Sequence, residues 1–197
     1  LISPRSMLRS ILETPSLKKA TALILVIAIV AAWASFNYTG KLPLASLPKP
    51  PEGQFPGQSP AMNPEQLRHV WMVMSVMTTV ICVFVIWFMS SVLVHGFSRT
   101  LGGSGYFKSM LTLAGYTSAP LFIQHVLRLV DSFMVSQEGL LQLATNLQIS
   151  AYPLLNSVAN AAVDIFTIFR LWSIVLLIIA TCENYKVSKT RATVATV

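Results

Sequence analysis

The sequence predicts an all-α membrane protein: a polytopic transmembrane helical bundle of four spans with a short interfacial helix, a fifth span being the alternative. Three observations predict it. Hydrophobic residues make up 54% of the 197-residue chain and charged residues only 11%, where a soluble domain usually carries about 25% charged residues. That leaves too little polar side chain to cover a globule, so lipid is the natural solvent for much of the surface. The apolar residues are also gathered into runs long enough to cross a bilayer. Finally, the formal net charge of +7 falls mainly between those runs, as topology signals do, and forms no basic stripe interleaved with aromatics. Nucleic acid is therefore not an expected partner.

Residues 1–19 (LISPRSMLRSILETPSLKK) carry Arg5, Arg9, Lys18 and Lys19 beside Ile2, Leu8, Ile11, Leu12 and Leu17. This spacing predicts a basic amphipathic helix lying in the interface, interrupted at Pro15. Ala20 to Phe36 is an uncharged run of 17 residues, at the lower limit for a span. Ala32-Trp33-Ala34 resembles a signal-peptide cleavage site, but the run is retained and reads as the first span. Residues 37–64 hold Pro43, Pro48, Pro50, Pro51, Pro56, Pro60 and Pro64, a density that blocks helix and sheet and predicts an extended loop. Asn63 and Pro64 suit the cap and first turn of the next helix. Val70 to Val94 is an uncharged run of 25 residues, enough to span with tilt. Its methionines read as adaptable packing, not as a metal stripe.

The stretch from Arg99 to Pro120 separates the second and third spans. It combines Gly102, Gly103 and Gly105 with Arg99 and Lys108. It fits neither the P-loop nor the dinucleotide-binding fingerprint, so it reads as a hairpin turn, or as a backbone nest for a lipid phosphate or an acidic partner loop. The third span starts after Lys108 and runs to about Val135. Its pairs Ala114/Ser118 and Gly115/Ala119 allow close helix approach in lipid, and Pro120 should kink it and free a carbonyl one turn back. Ser136 to Asn160 is too polar for a simple span and reads as a short interfacial or re-entrant helix. Val163 to Thr181 is the last span, and residues 184–197 form a basic tail.

Charge placement sets the topology. With four spans, Arg5, Arg9, Lys18, Lys19, Arg99, Lys108, Lys186, Lys189 and Arg191 share one side and only Lys41, Lys49 and Arg68 the other. Both termini and the glycine turn are therefore expected in the cytoplasm.

Arg128, Asp131, Asp164 and Arg170 lie within or at the edge of the last two spans. Charges at such positions are rare and usually paired or pathway-lining. An Arg at mid-bilayer costs about 2.5 to 3.5 kcal/mol, so the final helix should depend on its neighbours. The four residues read as an inter-helix ion pair, with a polar pathway or lipid-headgroup pocket as the alternative. No Gly-x-Gly-Asp pattern surrounds either aspartate, which argues against intramembrane proteolysis. His69, His95 and His125 lie on three segments without paired spacing, so neither a metal site nor another cofactor is expected.

Pro4-Arg5, Leu101-Gly102-Gly103 with Gly105, Phe107 and Lys108, Leu113-Ala114-Gly115-Tyr116, and Ala119-Pro120 resemble the Yip domain family of Rab/Ypt-interacting membrane proteins. Asp164-Ile165-Phe166, Leu171-Trp172, Lys189 and Ala192 are similar to that family's final span. The resemblance covers nearly the whole of residues 1–197 as one domain. It implies a small helical membrane protein, often drawn with five spans, without known catalytic activity. Eukaryotic relatives act in vesicle traffic and carry a longer cytosolic region with motifs not found here, so the likeness points to the prokaryotic branch. Some bacterial members are thought to accompany ABC exporters or to resist membrane-active peptides. The expected role is a non-enzymatic scaffold or accessory protein of the inner membrane. Its expected partners are the lipid bilayer and another integral membrane protein, or a second copy of itself. The alternative is a small transporter or lipid-handling protein with a polar intramembrane pocket.

Overall fold

The computed structural model describes residues 3–41, 63–136, 138 and 168–196, and among them every regular element is an α-helix. Helix α1 (Pro4–Glu13) starts where the Ser3 hydroxyl accepts the Ser6 N–H at 3.3 Å, with Pro4 supplying a pre-set first turn. It stops before Pro15, as expected. Helix α2 (Leu17–Lys41) is longer than the predicted span. Asn37–Lys41, which the sequence reading assigned to the proline-rich loop, are helical, because no proline occurs before Pro43 to end the helix. Residues 42–62, most of that loop, lie outside the described residues.

Helix α3 (Pro64–Thr100) opens with the predicted cap. Asn63 accepts the Glu65 N–H at 3.3 Å, and the Gln66 side chain accepts the Asn63 N–H at 3.2 Å, a reciprocal capping box. At 37 residues it is about 55 Å long, so it outruns the hydrocarbon core at both ends. The predicted third span is divided into α4 (Phe107–Thr117) and α5 (Ala119–Met134). Helix α6 (Ile168–Tyr185) continues four residues beyond the predicted last span. Residues 163–167 and nearly all of the polar stretch 136–160 lie outside the described residues. The basic tail holds a further helix, α7 (Lys189–Thr196), with Ala192 and Ala195 buried.

Where four spans were expected, three described helices, α2, α3 and α6, are individually long and apolar enough to cross a membrane. Neither α4 nor α5 alone has that length. Proline explains the division. Pro120 has no N–H to continue the ladder, and the Ser118 hydroxyl turns back onto the Ala114 carbonyl at 2.8 Å. The Thr117 carbonyl accepts the Ser173 hydroxyl of α6 at 2.6 Å. The break is thus satisfied by a neighbouring helix, as a low-dielectric setting requires.

Cross-helix contacts fix the directions. Ser35 and Thr79 share a hydrogen bond of 2.9 Å, and a side chain on Gly40 would meet Met72, so α2 and α3 are antiparallel. Gly115 faces Ala20, and Asn37 donates to Ser132 at 3.3 Å, so α4 followed by α5 tracks α2 along its length in the same direction. Ser173 meets Thr117, while Tyr185 meets Gly103 and Gly105, so α6 returns antiparallel. Helix α2 is the central element and buries Ala20, Ile24, Ile27, Ala28, Ala31 and Ala34. No residue in the apolar window of α3 is fully buried within the chain: one side is half-buried against its neighbours and the other is exposed, as suits a helix facing lipid.

Candidate functional site

The glycine turn is built by α3, α4 and α6 together. Gly102 has φ +87°, a left-handed conformation that only glycine adopts without strain. The other two glycines are required by proximity. A Cβ on Gly103 would stand 2.8 Å from the Ser98 carbonyl oxygen and 2.8 Å from the Tyr185 Cβ. One on Gly105 would stand 2.6 Å from the Asn184 carbonyl oxygen. Tyr185, only 1% exposed, fills the space so created. Its hydroxyl lies 2.5 Å from His95 Nδ1, and the Ser104 N–H donates to its carbonyl at 3.3 Å. Arg99 donates to the Gly103 carbonyl at 3.3 Å. Arg99 and Lys108 are exposed, and Tyr106 between them is 79% exposed.

The remaining basic segments gather at the same end. Glu183, 8% exposed, accepts from Arg9 Nε at 2.9 Å, and Arg5 Nε stands 3.8 Å away. That hydrogen bond, and then the charge of the carboxylate, raises the Arg9 guanidinium above its usual range. Leu8 packs with Leu113 and Ala180 beneath the pair. Arg191 of α7 donates to the Leu101 carbonyl at 3.2 Å. So α1, the glycine turn, the end of α6 and α7 form one clasp. Sequence reasoning missed Glu183 and Tyr185 as its centre. The available signal was an isolated acid among the basic residues of one side.

The small-residue pairs of α4 are used inside the chain. A Cβ on Gly115 would approach the Ala20 Cβ to 2.8 Å. Ala114 and Pro120 are buried, while Ser118 and Ala119 are half-buried.

Of the four charges singled out in the sequence, Arg128, Asp131 and Arg170 lie toward the opposite end. Asp131 is exposed and accepts the hydroxyl of Tyr38 on α2, which also reaches the Arg128 carbonyl at 3.4 Å. Lys41 caps the end of α5 by donating to the carbonyls of Ser132 at 2.7 Å, Phe133 at 3.2 Å and Val135 at 2.8 Å. A cation at a helix C-terminus is the favourable sign for the helix dipole. Asp164 lies outside the described residues. The ion pairs joining two described residues both belong to Glu183. Arg128 and Arg170, both half-buried, line one cavity of about 620 Å³ between α2, α3, the α4–α5 pair and α6.

Helices covered by apolar side chains, broken only where a neighbour satisfies the break and tied together at one end, define a polytopic helical membrane protein. A family model described as the Yip1 domain matches residues 1–197, the whole chain. The chain belongs to that family, and the likeness carried by the glycine turn and the Ala119-Pro120 pair is borne out. No curated protein and no solved structure matches it.

Proposed function

We propose that this chain is a non-enzymatic scaffold or accessory protein that binds another integral membrane protein, or a second copy of itself, through its basic turn. The observation that carries this reading is the construction of the turn. Gly103 and Gly105 are locked against Tyr185 and Asn184, so Arg99, Tyr106 and Lys108 are presented on a fixed surface and not on a hinge. An exposed tyrosine beside basic side chains is the composition of a binding hot spot. Of the small residues, in contrast, Gly115 is already packed on Ala20 of α2 and Ala114 on the core around Tyr185. In this reading α4 and α5 cross together as the third of four spans, and the clasp lies in the cytoplasm of a bacterial cell, on the side the excess of Lys and Arg selects. A membrane exporter is one class of partner consistent with the resemblance. The test is native mass spectrometry after mild detergent extraction. The wild type should carry a stoichiometric partner or second copy, and Tyr106→Ala with Lys108→Glu should release it while the chain stays folded. Only isolated monomers for the wild type would overturn the proposal.

A second reading, a small transporter or lipid-handling protein, is favoured by a different observation. Arg128 and Arg170 line one cavity between apolar helices, and ionisable side chains within a transmembrane bundle usually mark a pathway or ligand.

A further inference from the structure

We infer that the cavity between α2, α3, α5 and α6 binds an anionic phospholipid, with its phosphate at Arg128 and Arg170 and an acyl chain along the inner apolar wall. This rests on the second reading above and names its ligand. Three features of the cavity select that chemistry. Its polar end is cationic: Arg128 and Arg170 line it together with His125, and no acidic residue does so among the described residues. Gln124, His125, Arg128 and Arg170 each make contacts of their own, and a guanidinium presents five N–H donors in a fork suited to phosphate. The rest of the wall is apolar, formed by Ile27, Leu121, Ile174 and Leu177, which fits a hydrocarbon chain and not a free inorganic anion.

The third feature is access and depth. Ile86 of α3 lines the cavity and is 65% exposed, and Cys82, one turn earlier, also lines it and is exposed. The cavity therefore opens sideways at the face of α3 that meets lipid. Arg128 stands six residues before the end of α5, about 9 Å along the axis, and Arg170 lines the same cavity. That is headgroup depth at the end opposite the glycine turn, with the apolar wall running inward from it. Basic pockets between transmembrane helices are suited to anionic headgroups for this reason.

The experiment uses the full chain with Cys182→Ala, so that Cys82 is the single thiol, purified and delipidated in mild detergent. Alkylation of Cys82 by a maleimide is timed with added phosphatidylglycerol, phosphatidylcholine or inorganic phosphate, and native mass spectrometry counts the lipid retained. The expected result is at least about fivefold slower alkylation with phosphatidylglycerol only, and one retained lipid per chain. Arg128→Gln with Arg170→Gln should abolish both effects, whereas Lys108→Gln on the distant turn should not. If the double variant fails to fold, Leu121→Trp, which fills the cavity without touching a charge, should abolish them instead. Equal protection by both lipids would overturn the anionic ligand while leaving a lipid-accepting cavity. Protection by inorganic phosphate alone would overturn the lipid. No protection and no retained lipid would overturn this inference and the second reading together.

Discussion

The two ends of this bundle are held by opposite means. At the glycine-turn end, side chains are removed so that backbones can touch: Gly103 and Gly105 close onto Tyr185, and Glu183 is covered by Arg9 and Arg5. At the other end, side chains reach across gaps. Tyr38 bridges to Asp131 and Lys41 to three α5 carbonyls, and from there a cavity of about 620 Å³ runs between the helices as far as Ala114 and Leu177. Close packing gives one arrangement and little tolerance, whereas long polar side chains hold helices together and leave room for a ligand. The difference separates a surface built to be rigid from a space built to be occupied.

The largest effect should come from emptying the clasp. Tyr185→Ala removes a side chain that is 1% exposed and packs with Val94, Met110 and Ala114. Aromatic-to-alanine changes in cores cost about 3–5 kcal/mol, so the variant should melt about 10 °C lower or more, measured by thermal unfolding in detergent. If Tyr185→Ala melts like the wild type, the clasp is no more tightly specified than the cavity end, and the comparison fails.

Overfilling the same place should cost less. Gly105→Ala drives a methyl group to 2.6 Å from the Asn184 carbonyl, a backbone atom that cannot swing away, and overpacking of this kind costs about 1–3 kcal/mol. The melting temperature of Gly105→Ala should fall between those of Tyr185→Ala and the wild type. A fall no larger than that of a substitution at exposed Gly96, whose Cβ would meet nothing within 4 Å, would show that the turn has slack.

How much of this was legible in the sequence follows from the same distinction. Uncharged runs, the Asn63-Pro64 start and Pro120 act within one or two turns, so α2, α3, α6 and a kink at Pro120 could be read from spacing, though not the division of that span into α4 and α5. The glycines could be read as a turn, and Gly102 needs only a local reason. That Gly103 and Gly105 are glycines because of Tyr185, some eighty residues later, is a fact about α6 and not about the turn. Glu183 was passed over for the same reason, since its partners Arg5 and Arg9 lie at the other end of the chain. Arg128 and Arg170 were singled out by their cost in lipid. Their sharing of one cavity depends on α5 and α6 meeting in a register that no local pattern displays.

The smallest effect should come from the wall of the cavity. Ser173 donates to the Thr117 carbonyl at 2.6 Å, the group released by the break before Pro120, and lines the cavity on its α6 side. Ser173→Ala leaves that carbonyl without its donor. In hydrocarbon this would be expensive, yet hydrogen bonds between transmembrane helices contribute only about 0.6 kcal/mol on average, because alternative partners are found. The cavity offers such alternatives here: the Ser118 hydroxyl stands beside the break, and the space can admit water. Ser173→Ala should therefore lower the melting temperature by only about 2 °C while leaving the Tyr185 clasp intact. Its hydrogen-exchange signature should be confined to residues around Thr117, without spread to the glycine turn. Loss on the scale of Tyr185→Ala would mean that the break is as rigidly held as the clasp, and that the cavity wall is part of the packed core.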